Sequence, residues 1–190
     1  MIGAAVVALS IANSPSATAD GQPPESARGH ASPELVDDGM DDLLTAPVPA
    51  LCRHAAGRLH DGALPIADPG AGYGRLAFGE PGLGPVLTDL TGDGDRDAAV
   101  VFRCSAGGVA WPDTVLFYGP GATLLGAADL STVTNDVDVE HATVSSIAAD
   151  GTDVAVRWTT TRGCCFNPRS WSARLHWDGR AVRILGAQRA

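Results

Sequence analysis

Five oxygen-bearing side chains, Asp89, Thr91, Asp93, Asp95 and Asp97, occupy alternate positions of the stretch DLTGDGDRD, with Gly92 and Gly94 between them. A loop of this composition can wrap carboxylate, hydroxyl and carbonyl oxygens round a hard cation, so the chemistry expected of it is calcium binding. Asp95 stands where such loops normally offer a backbone carbonyl. An EF-hand is excluded: Val100 stands where the bidentate Glu belongs, and the flanking residues read as strands. The same pattern also suits a polar turn whose Asp side chains cap backbone amides.

Cysteine is the second chemistry-bearing residue. Cys52, Cys104, Cys164 and Cys165 suit two disulfides in an exported chain, for which three pairings exist. No C-x-x-C spacing is present, which argues against a zinc site. The expected pairing is Cys52 with Cys104, leaving Cys164 and Cys165 as a vicinal pair. Adjacent α carbons lie about 3.8 Å apart, below the ~4.4 Å at which disulfides normally begin. A vicinal bond would therefore be strained and easily reduced. That makes the CCFNPRSW segment either a rigid staple, a thiol-redox element or an exposed inhibitor-like loop.

Three further groups could do chemistry. Asp136, Asp138 and Glu140 alternate with valines and run into His141, a second conceivable ion site that an acidic edge strand explains as well. Ser172, His176 and Asp178 share a strand face like a hydrolase trio, but they spread along roughly 13 Å of strand, too far for mutual hydrogen bonds. His54 and His60 have no placed partner in the sequence and are expected at the surface or the edge of a core. No nucleophile elbow, H-E-x-x-H helix or phosphate-cradling glycine loop occurs.

The chain that must position these residues has 190 residues, 45% of them hydrophobic, enough for one domain with a real core. Its formal net charge of −9 disfavours nucleic-acid and anionic-membrane partners. All 13 basic residues are Arg, and Arg157, Arg174 and Arg183 alternate with apolar residues as a solvated sheet face would. At the front, MIGAAVVALSIA is an apolar run followed by Ala17-Thr18-Ala19, the small-x-small pattern of a signal-peptidase site. Residues 1–19 are accordingly expected to be a signal peptide cleaved before Asp20, although no Arg or Lys precedes the run. The run is too short to span a bilayer. Residues 20–46, rich in Pro, Ser, Gly and acid, are expected to form a flexible leader.

From residue 47 to 190 a single β-rich domain is expected. VPALCRHAAGRLHDGALP could hold one helical turn before a glycine-rich link. DAAVVFRC and DTVLFYG are apolar on both faces, as central covered strands are, and Gly119-Pro120-Gly121 turns the second into TLLGAADL. ATVSSIAA and DVAVRWTT flank Asp150-Gly151 as a hairpin. Trp171, Ala173, Leu175 and Trp177 alternate into another that turns at Asp178-Gly179. Eight or nine short strands with little helix predict an antiparallel sheet folded as a sandwich or partly closed barrel. No repeat of propeller or solenoid length occurs.

The stretch VLTDLTGDGDRDAAVVF resembles the FG-GAP repeat of integrin-type propellers, whose loop binds calcium between two strands. That resemblance implies ligand roles for Asp89, Thr91, Asp93, Asp95 and Asp97, with Thr91 in place of the usual Asn or Asp, in one copy where propellers carry a tandem array. ALCRHAAGRLHDGALP, VVFRCSAGGVAWPDTVLFYGPG and SARLHWDGR are similar to an uncharacterised group of secreted proteins from high-GC Gram-positive bacteria, which brings no function with it. The expectation is a secreted, monomeric, non-enzymatic β module with a structural Ca2+ loop, acting on an extracellular or cell-envelope ligand. A secreted enzyme, hydrolytic or thiol-redox, and a protease-inhibitor-like protein are the alternatives.

Overall fold

The centre of the molecule is a pair of adjacent strands that have no wet face. The computed structural model describes residues 38–133, 141–161 and 168–190, all within one compact unit, Pro33–Ala190. In chain order the elements are helix α1 (Asp38–Leu44), β1 (Pro47–Val48), β2 (Gly57–Arg58), β3 (Gly72–Leu76), β4 (Val86–Thr88), β5 (Asp97–Ala106), β6 (Val109–Ala110), β7 (Thr114–Gly119), β8 (Thr123–Asp129), β9 (His141–Asp150), β10 (Asp153–Thr161), β11 (Arg169–Trp177) and β12 (Val182–Arg189). Every residue of β7 is buried, as is nearly all of β5. Both are covered on each side, which is why their sequences lack alternation.

All pairings are antiparallel, and the strands form a six-stranded and a four-stranded sheet plus the small β1-β2 pair. In the larger sheet the path is β3-β5-β7-β8, with β4 and β6 also paired to β5. In the smaller one it is β12-β11-β10-β9. Ala99, Val101, Val115 and Phe117 from the large sheet meet Val144, Val154, Val156, Trp158 and Leu175 from the small one in the main core. This is the sandwich that the strand pattern predicts. The hairpins at Gly151 and Gly179, the strand that follows Gly119-Pro120-Gly121, and the exposed Arg157, Arg174 and Arg183 also fall where expected.

The opposite face of the large sheet carries a third layer. Val100, Phe102, Cys104, Leu116 and Tyr118 pack against Leu43, Ala46, Val48 and Leu59. Here the structure departs from the sequence reading twice. Residues 38–46, assigned above to the flexible leader, are folded: Met40, Leu43 and Leu44 recur at helical spacing, Leu43 is 2% exposed and Ala46 fully buried. The segment from Val48 to Pro65, in turn, forms β1, β2 and tight bridges in place of a helical turn. The physical reason is the same for both. An uncovered apolar face on β5 and β7 orders whichever neighbouring segment can bury it, and four apolar anchors suffice even in acidic surroundings.

Candidate functional site

The acidic loop joins β4 to β5, so its two ends are held in the large sheet by the pairing Thr88 with Asp97. Gly92 and Gly94 take φ of 78° and 92°, a region that non-glycine residues reach only with strain. This backbone turns its amides inward. Asp89 Oδ1 accepts from the amides of Gly92 (2.6 Å) and Asp93 (3.2 Å), and Oδ2 accepts from Gly94 (3.0 Å). Asp93 Oδ1 accepts from the Asp95 amide at 2.9 Å. Asp97 is 1% exposed, and its Oδ2 accepts from the amides of Leu90 and Thr91, both at 2.9 Å.

Two oxygens of the set are left over. Asp97 Oδ1 and Thr91 Oγ1 are buried and have no hydrogen-bond partner. A buried carboxylate oxygen without a partner costs far more than an exposed one, and a missing water or ion is the ordinary explanation for such an atom. Capping does not remove the other carboxylates from consideration, because each carboxylate carries about four lone-pair sites. Among the described residues no three His, Cys, Asp or Glu side chains are gathered as a metal group. In the loop, Asp89, Asp93 and Asp97 turn toward amides, while Asp93 and Asp95 stay exposed.

The other candidates separate. Cys52 and Cys104 are joined, with their α carbons 6.2 Å apart, at a sequence separation of 52. Cys164 and Cys165, and Asp136, Asp138 and Glu140, lie outside the described residues. His176 bonds through Nδ1 to Asp153 at 2.8 Å, a cross-strand partner and not a member of the trio with Ser172 and Asp178. Asp178 serves the β11-β12 turn: its Arg183 hydrogen bond, with help from the Ala181 amide, pulls its carboxyl down to about 2. His60 sits beside Asp61 at the surface. His54 donates from Nε2 to the Ser105 carbonyl at 2.8 Å, which places its proton on that nitrogen.

No family profile, curated protein or solved structure matches this chain.

Two arrangements escaped the sequence reading. Arg103 on β5 donates from Nε to both oxygens of Asp113 (3.2 and 3.1 Å), from one terminal nitrogen to Glu80, and from the other to the Val144 carbonyl at 3.0 Å. The Val144 amide donates back to Asp113 at 2.8 Å, so the cluster ties the two sheets together at their edge. Burial pushes the Asp113 carboxyl up, against the pull of the Val144 amide and Arg103. Burial works against the Arg103 charge too, but Asp113 and Glu80 outweigh it and raise its pKa. The signal was present: a charged residue inside a doubly covered strand must find a partner. The second arrangement is a cleft at the C-terminal end of β5, where Arg53 lies over Trp111 with its guanidinium carbon 5.6 Å from the ring centroid. Only the fold brings those two residues together.

Proposed function

We propose that the protein is an exported, disulfide-stapled β-sandwich that works by binding, with a calcium ion holding its β4-β5 loop. The observation that carries this reading is the pair of buried, partnerless oxygens, Asp97 Oδ1 and Thr91 Oγ1, inside a loop of hard oxygen donors. Asp89, Thr91, Asp93 and Asp97 would hold the ion through side chains and Asp95 through its carbonyl. When bound, the ion supplies the positive charge that the Asp97 carboxylate lacks. The disulfide between Cys52 and Cys104 supports an oxidising compartment. Among the described residues no helix is long and apolar enough to cross a membrane.

Extracellular calcium modules bind with dissociation constants of about 0.1 to 1 mM. Binding to the folded state alone then stabilises it by roughly 1.4 to 2.7 kcal/mol at about 10 mM calcium. The expected rise in melting temperature between chelator and calcium is about 3 to 10 °C. Magnesium should do much less, because it prefers a tight octahedron with retained waters. Asp97→Asn keeps an oxygen for the Leu90 and Thr91 amides but removes the buried charge. This variant should lose the calcium response while melting no lower than the parent in chelator. Identical melting of the parent chain in calcium and in chelator would reduce the loop to a polar turn.

A further inference from the structure

The cleft at the C-terminal end of β5 encloses about 570 Å³, within the range of about 300 to 1,000 Å³ that small-molecule sites occupy. Its two walls hang from one residue. Cys104 holds the first wall through its disulfide to Cys52, and the second through its carbonyl, which accepts from the Trp111 amide at 3.0 Å. The first wall is the turn Leu51 to His54, closed by the His54 amide donating to the Leu51 carbonyl at 2.8 Å. Both central residues are left-handed, with φ of 54° at Cys52 and 63° at Arg53. Such turns normally use Asn and Gly, and a side chain larger than these holds that conformation only at a cost in strain. The disulfide and the bond from His54 to Ser105 hold the turn in place against that cost.

What this strain achieves is the placement of Arg53. Its guanidinium lies over the Trp111 ring, and among the described residues it makes no ion pair. A cation–π contact holds the charge over the ring without using up all five N–H donors of the guanidinium, so donors remain for an acceptor. In a chain of net charge −9, an arginine with no carboxylate partner among the described residues is a selective anion contact. Beside it lie the exposed apolar surfaces of Val109, 57% accessible, and Trp111, 36% accessible. The far rim is an acceptor. Asp129 takes the Ser131 amide (2.9 Å) and hydroxyl (2.6 Å) on Oδ1, and its Oδ2 has no hydrogen bond among the described residues. His141 Nδ1, also at this rim, is buried without a partner.

We infer that the cleft binds a small carboxylate ligand with a compact apolar face and hydroxyl or ammonium donors at its other end. The carboxylate meets the edge of Arg53, the apolar face lies against Trp111 and Val109, and the donors meet Asp129 Oδ2 and His141. This chemistry is shared by sugar acids and by the free C-terminal end of short peptides. The inference deepens the binding reading above and rests on it, but it is independent of calcium, because the cleft and the acidic loop sit at opposite ends of β5.

Calorimetric titration of the intact protein with digalacturonate and with the dipeptide Ala-Phe tests it, each beside a neutral counterpart, maltose and the dipeptide amide. At least one acid should bind at micromolar to millimolar concentration, and which one identifies the source. Its neutral counterpart should bind at least tenfold more weakly. Arg53→Gln, checked for an unchanged melting temperature, should lose the same tenfold, and Trp111→Ala should weaken the acid as well. The cleft is not such a site if neither acid binds at millimolar concentration, or if acid and neutral forms bind alike. A failed titration with the calcium response intact overturns the cleft alone. Binding without a calcium response overturns only the loop.

Discussion

Arg103 is the residue whose removal separates pairing from packing most cleanly. Its side chain is 18% exposed and that of Asp113 is 5% exposed, so Arg103→Met leaves a buried carboxylate with only the Val144 amide. Breaking a buried pair in this way costs about 3 to 5 kcal/mol. The sign of the pH dependence follows from the upward push that burial already exerts on Asp113. With Arg103 gone, that push is less opposed, and the folded state binds a proton that the unfolded state has released. Stability of the variant should therefore fall as pH rises from the ordinary carboxylate range through the raised pKa. Equilibrium denaturation of the variant and parent between pH 4 and neutrality checks this. The deficit should be largest at neutral pH and shrink on acidification, whereas a deficit independent of pH would mean lost packing and not an unpaired charge. Position 103 was legible in the sequence as a charge inside an apolar run. Its partners were not, because Glu80, Asp113 and Val144 come from three other segments.

Among the elements, α1 has the least support from its own sequence. A seven-residue helix is marginal in isolation, so its order comes from docking Leu43 and the following Ala46 onto β5 and β7. Leu43→Ala should cost about 2 to 5 kcal/mol if the helix is an integral third layer. Loss of well under 1 kcal/mol in urea denaturation would return residues 38–46 to the leader. The strands β9 to β12 illustrate the opposite case. Their alternation, with one face on the core and Arg157, Arg174 and Arg183 in water, makes element and orientation readable without a fold, whereas the register shifts at Arg157/Trp158 and Ser172/Arg174 are not.

For the molecule as a whole, the disulfide and the proposed ion act at opposite ends of the strand on which the sandwich is centred. Cys52 and Cys104 close a stretch of 52 positions, for which the chain-entropy account gives about 4 kcal/mol. Replacing both cysteines by Ala should lower stability by about that amount and steepen the dependence on urea, since the unfolded chain becomes more expanded. Seven residue steps along β5 separate Cys104 from Asp97 at the end of the acidic loop, about 23 Å of strand. Losses from the cysteine change and from Asp97→Asn in calcium should therefore add to within about 0.5 kcal/mol. A larger coupling, measured by a double-mutant cycle, would show that the two ends of β5 are not independent. What the sequence by itself determined is whatever depends on local period and composition: the β class, the doubly covered strands, the late hairpins, the oxygen-rich loop and the set of available cysteines. Tertiary structure alone decided which segment covers the second face of β5, which residues neutralise Arg103, and that Arg53 and Trp111 share one cleft. Those outcomes depend on contacts between residues tens of positions apart, and no local pattern encodes the closure of such distances. They are settled only when apolar faces and buried charges find partners in three dimensions.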